Sequence, residues 1–352
     1  MHLSLADYYA TNYTKCNLTF SFLASWKGVV YPTHTFQLIA LSLQLLSFYV
    51  ILTKTPASMK SVKWPLFINH LCCIWFDFSI CTLSTLYIIY PVLGVISLGL
   101  LNSLGVPAIV QLCLVAASAI LAASSYIFLF ESRSNYLMQN IFRMKKTRTR
   151  VLYHLIVFLI NASGLIMVLK LPTDQTTAVL DSLNIYPCPT REFFEFPVLI
   201  MSTDEHILRW LTWFFLPLFV LNGGANATFH IVTTIYYLYV VPPSTISRET
   251  QQNQKAFLKA ITFQLAVPFL LADTPVFIIT VIYSTGYYTQ KSMNLVIDIL
   301  ALHGIGEGIA IITVHKHYRN AVKHIISQCV GKLIKRDTSV RDTRVGSNNY
   351  LQ

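Results

Sequence analysis

Charge is what this chain most lacks. Asp, Glu, Lys and Arg together make up only 12% of its 352 residues, and acids number just 15. Soluble domains carry about 25% charged residues. With 54% hydrophobic residues and a mean hydropathy of +0.55, a soluble fold of this size has too little interior to hide the apolar surface, so a polytopic membrane protein is expected. The opening "MHLSLADYYATNYTKC" has no basic start running into an apolar core, so no cleaved signal peptide is expected. The apolar runs lack the period-two alternation of barrel strands, and open strands leave backbone groups unpaired in lipid, which excludes β architectures. Internal repeats and low-complexity linkers are missing too.

What is there is a set of seven apolar stretches, each near the 20 or so residues a spanning helix needs. They cover 30–52, 65–90, 106–130, 151–171, 210–241, 256–283 and 293–314. The expectation is an all-α seven-transmembrane helix bundle at 30–314, after an N-terminal tail at 1–29. Nothing is left over for a separate soluble domain.

Orientation follows from the bases. Of 26 Lys and Arg, 20 fall in segments 53–64, 131–150, 242–259 and 315–352. Basic loops stay in the cytosol, which places the N-terminus outside and the C-terminus inside. The +11 net charge then reads as attraction to an anionic inner leaflet and a cytosolic partner, not to nucleic acid. Two glycosylation sequons, at Asn12 and Asn17, lie in the outer tail, whereas those at Asn161 and Asn226 fall inside spans and are discounted. Among seven cysteines only Cys16 and Cys188 face the oxidising side, so they form the expected disulfide.

Four acids lie within spans: Asp77, Asp273, Asp298 and Glu307. An ionisable group near the bilayer centre costs at least about 2.5 kcal/mol, so each is expected to face the bundle interior. Asp77 reads either as a hydrogen-bonded core acid or as a switch site. Asp273 precedes Pro275 in a helix already interrupted by Pro268, a composition that suits a hinge. His303 and Glu307, four apart, share a helix face and either pair with each other or contact a ligand. The "NGGAN" run at 222–226 reads as close packing through small residues or as local flexibility beside a ligand cavity. The histidines sit at different depths, His70 and His154 near the basic side and His230 and His303 deeper. That scatter argues against a shared metal, and no cofactor is expected.

The third stretch ends in "FESR", with Glu131 and Arg133 two apart. This is either an ordinary headgroup anchor or an ionic latch released by a conformational change. Positions i and i+2 point about 200° apart on a helix, so the two side chains are expected to contact different neighbours. Seven helices with an outside N-terminus and an acid–Arg pair closing the third resemble a G-protein-coupled receptor. "ILTKTPASMKSVKW" (51–64), "HLCCIWFD" (70–77), "FESR" and "LHGIGEGIAIITVHKHYR" (302–319) together resemble the nematode serpentine receptors of class H, across essentially the whole chain. The sequence departs from that family's pattern where His317 replaces a proline and Glu307 a small hydroxyl residue.

The resemblance implies a chemosensory receptor, not an enzyme, that binds a small extracellular molecule and activates a heterotrimeric G protein. Glu131, Arg133, Tyr318 and Arg319 are the implied coupling residues, in the plasma membrane of a chemosensory cilium. A seven-helix ligand-gated cation channel and an intramembrane metal-dependent hydrolase are the alternatives. Along the segment around and after Arg319, Tyr318, Val322, Ile325, Ile326, Cys329, Val330, Leu333 and Ile334 recur at helical spacing with Lys323, Lys332, Lys335 and Arg336 largely elsewhere on the wheel. An amphipathic cytosolic eighth helix is therefore expected at 315–336, with Cys329 a candidate for palmitoylation and a polar, disordered tail at 337–352. Glycosidase treatment is expected to shift the gel mobility of the wild-type protein and not that of the Asn12→Gln/Asn17→Gln variant. An N-terminal tag that labels only after permeabilisation would reverse the orientation.

Overall fold

The computed structural model describes residues 4–17, 21–56, 60–89, 91–241, 248–328 and 331. Seven long helices build it: α1 (Lys27–Lys54), α2 (Lys60–Phe78), α3 (Ala108–Tyr136), α4 (Thr147–Ala162), α5 (Glu205–Val240), α6 (Arg248–Thr285) and α7 (Gln290–Val314). Among the described residues, six helices are long and apolar enough to cross a membrane. In α6 the apolar stretch so identified is the shorter Thr274–Thr285. Several α6 side chains, those of Pro268 and Asp273 included, lie outside the described residues.

Local sequence accounts for many of the ends. Pro56 pushes Thr55 into an extended conformation (φ −70°, ψ 119°), which stops α1. Lys63 then donates to the Leu52 carbonyl oxygen at 2.7 Å, satisfying one of the carbonyls a helix end leaves bare. Asp204 opens α5 by accepting from the His206 N–H at 2.8 Å, and the Thr289 hydroxyl caps α7 through Ser292. The third helix runs to Tyr136, six residues past the expected boundary, so Glu131 and Arg133 lie inside helix and not beyond it.

The second stretch departs most from expectation. Its helix continues through a π turn only to Leu83, and residues 86–89 do not extend it. Instead β1 (Leu86–Ile89), β2 (Gly94–Ser97) and β3 (Leu199–Ile200) form a small antiparallel sheet in the order β1-β2-β3. The cause is local. Thr85 takes a positive φ of 32°, which a helix cannot propagate, and "LYII" is rich in strand formers. The Ser84 carbonyl accepts from the Leu98 and Gly99 N–H groups and from the Ser97 hydroxyl, fixing the return. Gly99 is required there, because a Cβ would collide with the Leu83 carbonyl.

That sheet belongs to a lid over one end of the bundle. Tyr87, Ile89, Ile96, Phe193 and Ile200 form its core against Val29 and Ile297. A loop helix, Gln175–Ile185, is capped by Asp174, whose carboxylate accepts from Thr176 and Thr177. The N-terminal helix Leu5–Thr11 opens with a Ser4–Asp7 capping box. The helix through Tyr9 and the following turn through Tyr13 lie on the loop, their rings 5.0 and 4.5 Å from Phe194. Burial there pushes the Tyr13 phenol up to about 12. Cys16 and Cys188 are disulfide-bonded, with Cα atoms 5.8 Å apart and a sequence separation of 172.

Below the lid the burial pattern is inverted relative to a soluble protein. Gln44, Asn69, His70, Asp77, Gln111, Ser118, Glu131 and Glu307 are fully buried, while Leu38, Leu45, Ile156, Leu159 and Phe229 are exposed on the outer faces. That is the arrangement a bundle takes in hydrocarbon, where polar groups turn to one another. A second core at the opposite end, around Val50, Leu66, Leu129, Phe130 and Ile311, takes in Tyr318 and Val322.

The hydrogen bond from the Thr177 side chain holds the Asp174 carboxyl below its ordinary value, so its folded pKa is depressed. The cap's contribution is present above the unfolded pKa and is lost as pH falls through the folded one. Hydrogen exchange at 176–178 is therefore expected to quicken in Asp174→Ala, and in the wild type only at strongly acidic pH. Unchanged exchange in the variant would remove the cap from the account.

Candidate functional site

Two polar systems occupy the interior. The first joins α1, α2, α3 and α7. Glu307 places both carboxylate oxygens 2.9 Å from Nδ1 of His70. The other ring nitrogen of His70, Nε2, faces the Gln44 carbonyl oxygen at 3.1 Å. Both nitrogens thus meet oxygen acceptors, and an imidazolium, with two N–H donors, satisfies them together. Further along, Asp77 accepts from the Gln44 side-chain amide at 2.6 Å and lies 3.3 Å from Nδ1 of His303. Tyr126 on α3 completes the cluster, its hydroxyl 3.4 Å from both His303 Nε2 and Cys73 Sγ.

His303 and Glu307 therefore do not pair with each other. Each reaches across to α2, so an acid and a base on α7 answer a base and an acid on the antiparallel neighbour. Of the two readings of these residues, the internal pair does not form, because α2 brings His70 to Glu307 and Asp77 to His303. Close approach is possible because position 304 is glycine. A Cβ there would overlap the Asp77 carboxylate and come within 2.7 Å of the Gln44 amide. Gly308, lower on the same face, sits against Leu43 and offers its carbonyl oxygen to Ser47 at 3.4 Å.

The second system joins α3, α4 and α5. Glu131, fully buried, receives Arg150 through Nε at 2.8 Å and Nη2 at 2.6 Å, with His154 Nε2 at 3.3 Å. Arg133, only 4% exposed, points elsewhere and donates through Nη2 to the Gln254 carbonyl oxygen of α6 at 3.4 Å. The two residues of "FESR" are held by different helices, as their spacing predicts. Beside them His230 bridges Ser134 (2.8 Å) and Tyr153 (2.9 Å). The chain continues from Tyr153 to Asn226 at 2.6 Å, from Asn226 to Asn222 at 3.0 Å, and from Asn222 to Asn161 at 2.8 Å. Asn222 and Asn226 in "NGGAN" are thus cross-helix links, a role the sequence reading gave to neither.

The other expected residues are placed as follows. Asp298 is partly buried on α7, with Oδ1 free of any hydrogen bond among the described residues, and Gln37 on α1 has both amide atoms in the same condition. The side chain of Asp273 and residue Cys329 lie outside the described residues. Residues 316–328 are helical, but Tyr318 is not on a surface: it is fully buried, and its hydroxyl meets Thr55 at 2.8 Å. Arg319 donates to the Thr313 carbonyl oxygen at 2.9 Å. Burial holds His315, just past α7, down at about 4. Asn12 and Asn17 are both exposed. Gln44, His70, Tyr126, Arg150, Tyr153 and His230 are the members sequence reasoning missed as a set. The signal available was the density of polar residues inside otherwise apolar stretches.

A lidded bundle of seven helices with a polar interior defines a rhodopsin-like receptor fold. The structure matches squid rhodopsin with a TM-score of 0.57 over 91% of this chain and 90% of that one, at 10% identity. A family model described as "Serpentine type 7TM GPCR chemoreceptor Srh" matches residues 24–328. "Serpentine receptor class H-72" of Caenorhabditis elegans is 30% identical over 327 residues, 92% of each chain. The chain belongs to the Srh family of serpentine chemoreceptors, which are multi-pass membrane receptors and not enzymes.

Gly304→Ala is expected to lower thermal stability in detergent, by about 1–3 kcal/mol for an overpacked contact. Gly223 on α5 has nothing within 4 Å of a built Cβ, so Gly223→Ala serves as control and should be neutral or mildly stabilising. Equal melting shifts for the two variants would show that the α2–α7 approach is not tight.

Proposed function

We propose that this chain is a chemosensory G-protein-coupled receptor with its N-terminus outside the cell and its C-terminus in the cytosol. A small extracellular molecule binds at the lid end, and the Glu131 end opens to a heterotrimeric G protein. The observation that carries the reading is the division of Glu131 and Arg133 between α4 and α6. Two buried charges two residues apart are each tied to a different helix, so relative movement of those helices changes both ties at once.

Other features support it. A cavity of about 770 Å³ opens at the lid end, lined by Val92, Ser202, Asp204, Leu208, Arg209 and Tyr283 among others. Its volume falls within the range of about 300–1,000 Å³ typical of small-molecule sites. The excess of bases in the segments at the other end supports the orientation, as does the exposure of Asn12 and Asn17. Lys316, Arg319 and Lys323 are exposed on the helix after α7 while Tyr318 and Val322 are buried, which suits a helix resting on an anionic inner leaflet and presenting bases to a partner. The family's description as chemoreceptors favours the plasma membrane of a sensory cilium as the site of action.

At equal surface expression Glu131→Gln should raise basal nucleotide exchange on co-expressed G protein. Arg133→Ala should reduce exchange to the level of cells lacking the receptor. Wild-type exchange from both variants would leave the pair as a helix-end anchor and remove the ground for coupling at this face.

A further inference from the structure

A second cavity lies on the outer face between α2, α3 and α4, beside Arg150 and His154 of the second polar system. It measures about 470 Å³, and Ile68, Leu121, Phe128, Val151 and Phe158 form its walls. Ile68, Leu121 and Val151 are 41%, 42% and 61% exposed, so the cleft opens sideways toward hydrocarbon and not toward water. Its lower rim is Thr147 and Arg150. The Arg150 guanidinium stacks over the Phe128 ring at 5.3 Å and is already matched electrically by Glu131.

Directly beyond the rim the chain is basic without relief. No acid occurs from Ser132 to Thr173, while Arg143, Lys145, Lys146, Arg148 and Arg150 fall within eight residues. Lys145, Lys146 and Arg148 are exposed, and α4 begins at Thr147, so these bases stand at the depth where the spanning segment meets the headgroups. An apolar lateral slot directly above a row of cations with no ion pair among the described residues complements one class of molecule, a lipid with an anionic headgroup.

We propose that the cleft between α2, α3 and α4 is a specific site for an anionic phospholipid. One acyl chain lies against Leu121, Phe128, Val151 and Phe158, and the phosphate is met by Lys145, Lys146 and Arg148. Zwitterionic lipid fills the slot equally well with its chain but gains less from the cations, so selectivity comes from the headgroup. Residence comes from the cleft. The site stands next to Arg150 and His154, which hold Glu131, so its occupant packs against the residues that tie α3 to α4.

The test uses the full-length receptor in nanodiscs, where both leaflets have the same composition and the outcome does not depend on orientation or on coupling. Discs of phosphatidylcholine with a minority of phosphatidylserine receive a trace of either lipid carrying a photoreactive acyl chain, and cross-links are mapped by peptide mass spectrometry. Phosphatidylserine should label the 121–128 and 151–158 segments several-fold over phosphatidylcholine. Lys145→Gln/Lys146→Gln/Arg148→Gln should abolish that preference and bring the two lipids to equal labelling, because the three bases supply the headgroup attraction. Leu121→Trp, a change at a half-exposed outward position, should block labelling at both segments while the protein retains its melting temperature. Excess glycerophosphoserine, which has the headgroup and no chains, should not compete. Equal labelling by the two lipids, label spread evenly around the bundle, or wild-type preference in the triple variant would overturn the site. Effective competition by glycerophosphoserine would replace it with a site for soluble anions.

Discussion

Hydrocarbon cannot solvate a polar group, and that single constraint organises this molecule. An unpaired charge or amide inside the bilayer costs several kcal/mol, so each one carried by a spanning helix must find its answer on another helix. In a soluble protein such groups would turn outward. Here they turn inward, and the residues with least helix-forming or packing value become the ones that fix which helices touch. Leucine and phenylalanine on the outer faces are interchangeable with lipid, whereas His70, Asp77, His303 and Glu307 have one set of neighbours that satisfies them.

The consequence is a bundle tied by two separate polar systems that both run through α3. One ties α1, α2 and α7 through Gln44, His70, Asp77, His303 and Glu307, reaching α3 at Tyr126. The other ties α4 and α5 through Arg150, His154, Tyr153 and His230, reaching α3 at Glu131 and Ser134. Arg133 carries the same helix to α6. A helix held on several faces by directional bonds moves only by exchanging partners, and partner exchange gives discrete states in place of continuous flexing. That suits the proposed function, in which binding at the lid end is reported to the Glu131 end.

Much of this was legible in the sequence, and the limits have physical causes. Seven stretches of the right length and one-sided bases gave the bundle, because hydrophobicity and charge act locally and survive without knowledge of tertiary contacts. The separation of Glu131 from Arg133 followed from helix geometry alone. Partners did not follow. Glu307 is four residues from His303 and in a position to pair with it, and only the approach of α2 at Gly304 decides that it meets His70 instead. The end of the second helix was hidden as well, since "LYIIYP" is as apolar as a span and only the turn at Thr85 reveals a strand. In "NGGAN" the small residues drew the reading toward close packing or flexibility, while the two asparagines bond to α4.

The most direct test of the account is whether His70 and Glu307 act as one unit. Breaking a buried pair by removing one partner leaves an uncompensated group and costs about 3–5 kcal/mol, whereas replacing both with apolar residues is often neutral. Melting of His70→Leu, Glu307→Leu and the double variant, in the same detergent, forms the cycle. The account predicts that each single change is strongly destabilising and that the double variant is more stable than either. Losses that simply add, within about 0.5 kcal/mol, would mean that the two residues do not hold α2 to α7.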